Sequence, residues 1–443
     1  MTISAQRLLH DLARLVAVRS VSADPGLVGE VERSADTVAA AFREVGVDAT
    51  VAASAGGLPA VVGRLAGPPG APTVLLYAHH DVQPVGDLDA WHSDPFTLTA
   101  RGGRVYARGA ADDKGGVAVH LEALRTLGPE PPVSVAVLIE GEEEIGSPTL
   151  AALLAEHADL VRADVVLAPD AVNAGPLAPT LTVSLRGLLN VLVTVRTADR
   201  AAHSGIFGGA VPDALGALIR LLATLTDDHG AVAVGGLHPG VNGENGPDAA
   251  DVRANSGLSP GVQLIGRGTL GARLWHGPAL TVTGLDAPAA AGAANVLTPV
   301  ARAAVSLRLA PEEDPADALR ALEEHLRRHT PWGAHLEVQL VGAGRGWRSD
   351  ATSPVAALAS DVLGQAFGNP VTTVGVGGAI PFVAMLVDSM PSADVLVTAV
   401  QDPQTRAHAP DESVSMSALA AAARAEAALM SRLGQRAHGE IEN

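Results

Sequence analysis

Short, mainly apolar runs recur along the chain at 73–76, 133–139, 164–167 and 393–400. They are too short for helices and do not alternate, so they predict strands buried on both faces, as in a parallel sheet. Apolar residues at helical spacing predict helices over 6–18, 29–46, 117–127, 354–367 and 417–433. The segment 51–65 reads as a strand or hairpin, and 82–109 as an irregular loop anchored by Trp91, Pro95 and Phe96. The pattern changes in the middle of the chain. Strands are predicted at 188–196, 279–284, 301–309 and 335–340, with helices at 212–225 and 315–329. The stretch 235–271, rich in Gly, Asn, Pro and Asp, reads as a long surface loop. The expected fold is therefore α/β. A mixed, mainly parallel sheet flanked by helices is built from 1–186 and 344–443, and an α+β domain is inserted at 187–343.

The apolar runs lead into polar clusters. The first ends in Tyr77-Ala78-His79-His80-Asp81, the second in Glu140-Gly141-Glu142-Glu143-Glu144, the third in Ala168-Pro169-Asp170. The fourth leads to Arg406-Ala407-His408-Ala409-Pro410-Asp411-Glu412. Asp112 and Asp113 open the 117–127 helix. Taken singly, each has an ordinary explanation: a solvated turn, a solvated acidic face, a helix start that favours carboxylates. Recurrence changes the picture, because open α/β sheets gather ligand sites at the carboxyl ends of their strands. One crevice would then receive two histidines and the carboxylates of Asp81, Asp112, Glu143, Glu144 and Asp170. Such charges repel unless cations sit among them, and two divalent metals are the economical answer.

Composition narrows the chemistry. The net charge of −18 disfavours nucleic acid and anionic membranes. The chain has no cysteine, so any metal must use His and carboxylate ligands, which accept Zn, Mn or Co. No run is long and apolar enough to span a bilayer, and no signal-peptide core is seen, so a cytoplasmic location is expected. With aromatics at 2%, the core must be built from Ala, Val and Leu. Lys114 is the only lysine, and it lies inside the cluster Arg108–Gly116.

The stretches 77–84, 108–115, 140–147, 203–209 and 408–412 together give the chain a resemblance to the M20 family of metallopeptidases, and within it to the carnosinase-like dipeptidases. The resemblance implies a zinc-peptidase catalytic domain and a ferredoxin-like inserted domain serving as lid and dimerisation module. It implies that His79, Asp112 and Asp170 hold one zinc, and Asp112, Glu144 and His408 the other, with Asp112 bridging. Asp81 would orient His79. Glu143 would be the general base for a water shared by the two metals, which attacks the peptide bond of a dipeptide or short peptide. The Asp112–Asp113 peptide is expected to be cis. His203 would stabilise the oxyanion, often at the partner subunit's site, which implies a homodimer. Asn295 and Arg308 match substrate-contact positions, Arg308 being suited to clamp a carboxylate, and the backbone N–H groups of Gly377 and Gly378 would serve the carboxylate pocket; otherwise Arg308 reads as a strand-edge surface residue. Two departures stand out: Ala201-Ala202 where the family often has Asp-Leu, and Ala379 where similar dipeptidases often carry Ser or Thr. Asp at position 170 favours dipeptidase over the alternative of an N-acyl amino acid deacylase. A catalytically silent metal-binding scaffold is the alternative of another class, and the filled ligand positions and Glu143 argue against it.

Overall fold

The computed structural model describes residues 2–241, 246–350, 352–378 and 380–441, with side chains up to Arg436. The chain divides into two compact units. One comprises Met1–Val183, Ser349–Thr373 and Pro381–Asn443; the other comprises Ser184–Arg348 and Val374–Ile380.

In the first unit four parallel strands lie side by side in the order Ser134–Glu140, Thr73–His79, Val165–Ala168 and Asp394–Val397. Ala60–Leu65 pairs antiparallel beside the first of them, and Asp48–Ala52 pairs with it at the margin. The register sets His79 opposite Glu140 and Val397 opposite Ala168, so all four carboxyl ends open on one side. Val74, Leu75 and Leu76 are wholly buried, as a strand covered on both faces requires. The helix Lys114–Leu127 is buried from Lys114 through Leu124, and it packs against Met416–Ile441 and Ala5–Val16. The core of this unit is made largely of Ala, Val and Leu, with Phe42 and Phe367 the aromatics in its main cluster.

The 82–109 segment is more regular than its sequence suggests. Thr99–Arg101 pairs with Arg104–Tyr106, which pairs with Ser413–Ser415. The runs are three residues long and one partner comes from the far end of the chain, so no local pattern announces them.

The second unit carries a four-stranded antiparallel sheet in the order Ala279–Asp286, Val300–Leu309, Gly187–Arg196, His335–Gly344. The helices Ala214–Leu222 and Pro315–His329 follow the first and third strands in chain order. This βαββαβ succession, with spatial order second, third, first, fourth, is the ferredoxin-like arrangement. Alternation is clean: Leu189, Val191, Val193 and Val195 and the odd positions from Ala301 to Leu309 form its core with the two helices. Within the predicted surface loop 235–271 the structure has a helix at Ala249–Ser256, capped by Asp248, whose side chain accepts from the Ala250 N–H.

Candidate metal centre

The site of the first unit is built at the carboxyl ends of its parallel strands. The strand Thr73–His79 ends at His79, whose ring is fully buried. Nδ1 of His79 lies 3.0 Å from the Asp81 backbone carbonyl, to which Nδ1–H donates, and Nε2 is the nitrogen turned toward the acids, the one a cation would take. Nε2 lies 3.1 Å from Asp112 Oδ1 and 3.9 Å from Asp170 Oδ2. The other Asp112 oxygen, Oδ2, lies 2.9 Å from Nε2 of His408. The same His408 nitrogen lies 3.3 Å from Glu144 Oε2. One carboxylate thus faces two imidazoles, one through each oxygen. The Asp112–Asp113 peptide is cis.

Two groups of side chains could each hold a cation. Asp112, Glu144 and His408 form one, and His79, Asp113 and Asp170 the other, with the donor atoms of each group within 4.8 Å of one another. In the sequence Asp113 reads only as a helix start. It does cap the helix, Oδ1 accepting from the Gly116 N–H at 3.1 Å, while Oδ2 is buried without a partner.

Charge is unbalanced here. Burial would raise Asp112, but hydrogen bonds from His408 and His79 override it and hold its carboxyl well below the ordinary range. Among the described residues, Asp170, Glu143 and Asp113 have no such imidazole bonds. Burial, then the charges of Asp112 and Asp113, push Asp170 well above its ordinary value. Burial, and after it Glu144 and Asp112, push Glu143 up to about 7 against the pull of His79. Asp113 is pushed up to about 8, chiefly by burial. His408 is raised to about 10 by its bonds to Asp112 and Glu144. The cluster therefore asks for positive charge, and its donors are imidazole nitrogens and carboxylate oxygens. Both facts fit divalent cations of the Zn, Mn and Co type.

Two further residues, Gln83 and Glu412, organise the site and have no role in the sequence analysis, and Asp81 has one beyond orienting His79. The Asp81 carboxylate accepts the backbone N–H of Glu143 at 3.3 Å and of Glu144 at 3.1 Å, fixing the turn that presents both. Gln83 donates its N–H to Glu144 Oε1 at 3.1 Å and Nε2–H to Glu144 Oε2 at 2.8 Å. Fully buried Glu412 accepts from the N–H of Gly109, Ala111 and Asp112 and from Arg108 Nη1 at 2.6 Å. Arg108 also donates to the Pro84 carbonyl. Glu412 and Arg108 stand in motifs quoted above, but nothing in a sequence says that one reaches the other.

The remaining candidates lie in the second unit. His203 is exposed, its Nδ1 accepting from the Gly205 N–H at 3.0 Å. It pairs across a short ladder with Val296, and the Ser204 N–H donates to the Asn295 carbonyl, so His203 and Asn295 are neighbours. Arg308 does not sit at a sheet edge. Its strand is interior, with Ala279 on one side and Leu188 on the other, and its side chain is on the face away from the helices. Gly378 is partly buried, and Ala379 lies outside the described residues.

Comparison with known proteins agrees with this architecture. The model of peptidase family M20/M25/M40 matches residues 75–432. The cysteinylglycine-S-conjugate dipeptidase of Corynebacterium striatum is 34% identical over 98% of this chain and 97% of its own. The Cys-Gly metallodipeptidase dug1 of Schizosaccharomyces pombe is 32% identical over 72% of each chain. The structure of human carnosine dipeptidase 1 superposes with a TM-score of 0.75 at 24% identity, covering 97% of this chain and 96% of that one; it speaks for the fold. A catalytic sheet of this order, a ferredoxin-like insertion and a family match across most of the length lead to one statement: the chain belongs to peptidase family M20/M25/M40.

Proposed function

We propose that the protein is a dinuclear metallodipeptidase that hydrolyses the amide bond of dipeptides, with zinc as the working metal. The observation that carries the reading is the position of Asp112, one oxygen toward His79 and the other toward His408. In this reading His79, Asp112 and Asp170 hold one ion, with Asp113 beside them, and Asp112, Glu144 and His408 hold the other. When bound, such a pair supplies Lewis-acid activation of water and of the substrate carbonyl.

The chain's own residues do the rest. Glu143, presented by the same turn as the ligand Glu144, takes a proton from the attacking water and returns it to the leaving amine. Asp81 sets the Glu143–Glu144 turn, and its backbone carbonyl accepts a hydrogen bond from His79 Nδ1–H. In the second unit, His203 and Asn295 serve the oxyanion and the substrate backbone. Arg308 and the Gly378 N–H take the substrate carboxylate. The domain 187–343 acts as lid and dimerisation module, and the working form is a cytoplasmic homodimer.

The relatives' names point to cysteinylglycine-type dipeptides as the first substrates to assay. Glu143→Gln is expected to retain two metals per chain and lose turnover by about 10²–10⁴-fold. Glu144→Gln is expected to lose metal. Metal analysis alongside rates on Cys-Gly, an S-substituted Cys-Gly and an N-acetyl amino acid checks this. Equal metal loss in both variants overturns the assignment, and turnover confined to the N-acetyl amino acid turns the reading to a deacylase.

A further inference from the structure

Arg186 stands where the strand Thr180–Leu185 passes into Gly187–Arg196, and it is buried. Its guanidinium meets no carboxylate among the described residues. It donates instead to three carbonyls: Nε to Gly377 at 3.2 Å, and Nη1 to Arg273 at 3.1 Å and Gly277 at 3.3 Å. A buried guanidinium without a counter-charge is costly, and dipoles alone offset only part of that. The next cation makes it costlier. Arg308 is paired in register with Leu188, and its guanidinium has no hydrogen bond or ion pair among the described residues. Burial, then the like charge of Arg308, pull Arg186 down to about 10. Two neighbouring cations with no acid between them form a place for an anion.

The hydrogen bond to Gly377 adds direction. In a trans peptide the C=O of one residue and the N–H of the next point opposite ways. With the Gly377 carbonyl held by Arg186, the Gly378 N–H is turned away from Arg186, and it has no partner among the described residues. Only glycine allows this approach. A Cβ on Gly377 would lie 2.7 Å from Arg186 Nη2 and 2.7 Å from the Leu274 carbonyl.

We infer that Arg186 is a positioning residue for carboxylate recognition: it aims the Gly378 N–H and adds a second uncompensated cation beside Arg308. This rests on the reading that Arg308 takes the substrate carboxylate. Arg186 touches no reacting atom; it selects substrates that end in a free carboxylate over those that do not.

The test compares one dipeptide with its C-terminal amide on the zinc-loaded full chain. For Arg186→Met, KM for the free dipeptide is expected to rise about tenfold or more, with kcat little changed and KM for the amide within about twofold. Arg186→Lys keeps the charge but cannot reach three carbonyls, and is expected to show the same split to a smaller degree; it decides the matter if the Met variant does not fold. Arg308→Lys is run in parallel. If Arg308→Lys shows the split and folded Arg186 variants shift both substrates equally, or neither, the inference about Arg186 fails alone. If Arg308→Lys shows no split either, the carboxylate reading fails and this inference with it.

Discussion

Gln83 shows how a neutral side chain can govern a charged one. Its two donors hold both oxygens of Glu144, and Glu144 in turn faces His408. Groups that orient a ligand are worth roughly 10–100-fold in metal affinity. Gln83→Leu keeps the backbone donor but removes the side-chain one. It is expected to weaken one of two metal-binding events by about tenfold, read by competitive titration with a chelator; unchanged affinity would mean that Glu144 needs no such support. His79, Glu143, Glu144 and Asp170 were legible as candidates because His and acidic residues stand out after apolar runs, whereas Asp113 and Glu412 were not. Gln83 was not, because an amide two residues past Asp81 looks like any loop residue. Arg308 was half legible: its residue type suggested an anion, but only the pairing on both sides shows that it is interior.

Among elements, the parallel strands were the most legible, since apolar runs such as Val74-Leu75-Leu76 have one physical explanation at that length. The ordering of the sheet was not legible, nor was the small ladder that ties Arg104–Tyr106 to Ser413–Ser415. That ladder brings Glu412 beside the 108–112 turn, where one carboxylate accepts from three backbone N–H groups and Arg108. The turn that presents Asp112 is thus held from the far end of the chain. Glu412→Gln would leave Arg108 buried without its counter-charge, a change that costs about 3–5 kcal/mol in comparable buried pairs. Urea denaturation of the metal-loaded protein should show a loss of that order, together with weaker metal binding. Full stability with weaker metal binding would mean that Glu412 acts on the turn alone.

At the scale of the whole molecule, a chain of net charge −18 concentrates buried acid in its catalytic unit. Asp113 and Glu140 are pushed up to about 8 and Glu143 to about 7, burial being the first cause in each. Carboxyls that titrate higher folded than unfolded favour the folded state when protonated. Their contribution is complete below about pH 4 and disappears as the pH climbs through about 7 to 8. The metal-free protein is therefore expected to melt at a higher temperature at pH 5 than at pH 8. Metal should raise the melting temperature most at pH 8, where the carboxylates are ionised. Calorimetry with and without chelator at both values checks this, and a metal-free protein that is more stable at pH 8 would contradict it.

The amine of Lys114, the chain's sole lysine, is buried and donates to the carbonyls of Leu15 and Val18. A lysine-specific protease thus finds a single cleavage point, sealed within the catalytic unit. The cut can occur only when that unit opens, so with protease in such excess that cleavage outpaces reclosing, the rate at which two fragments appear is a direct clock for opening of the catalytic core.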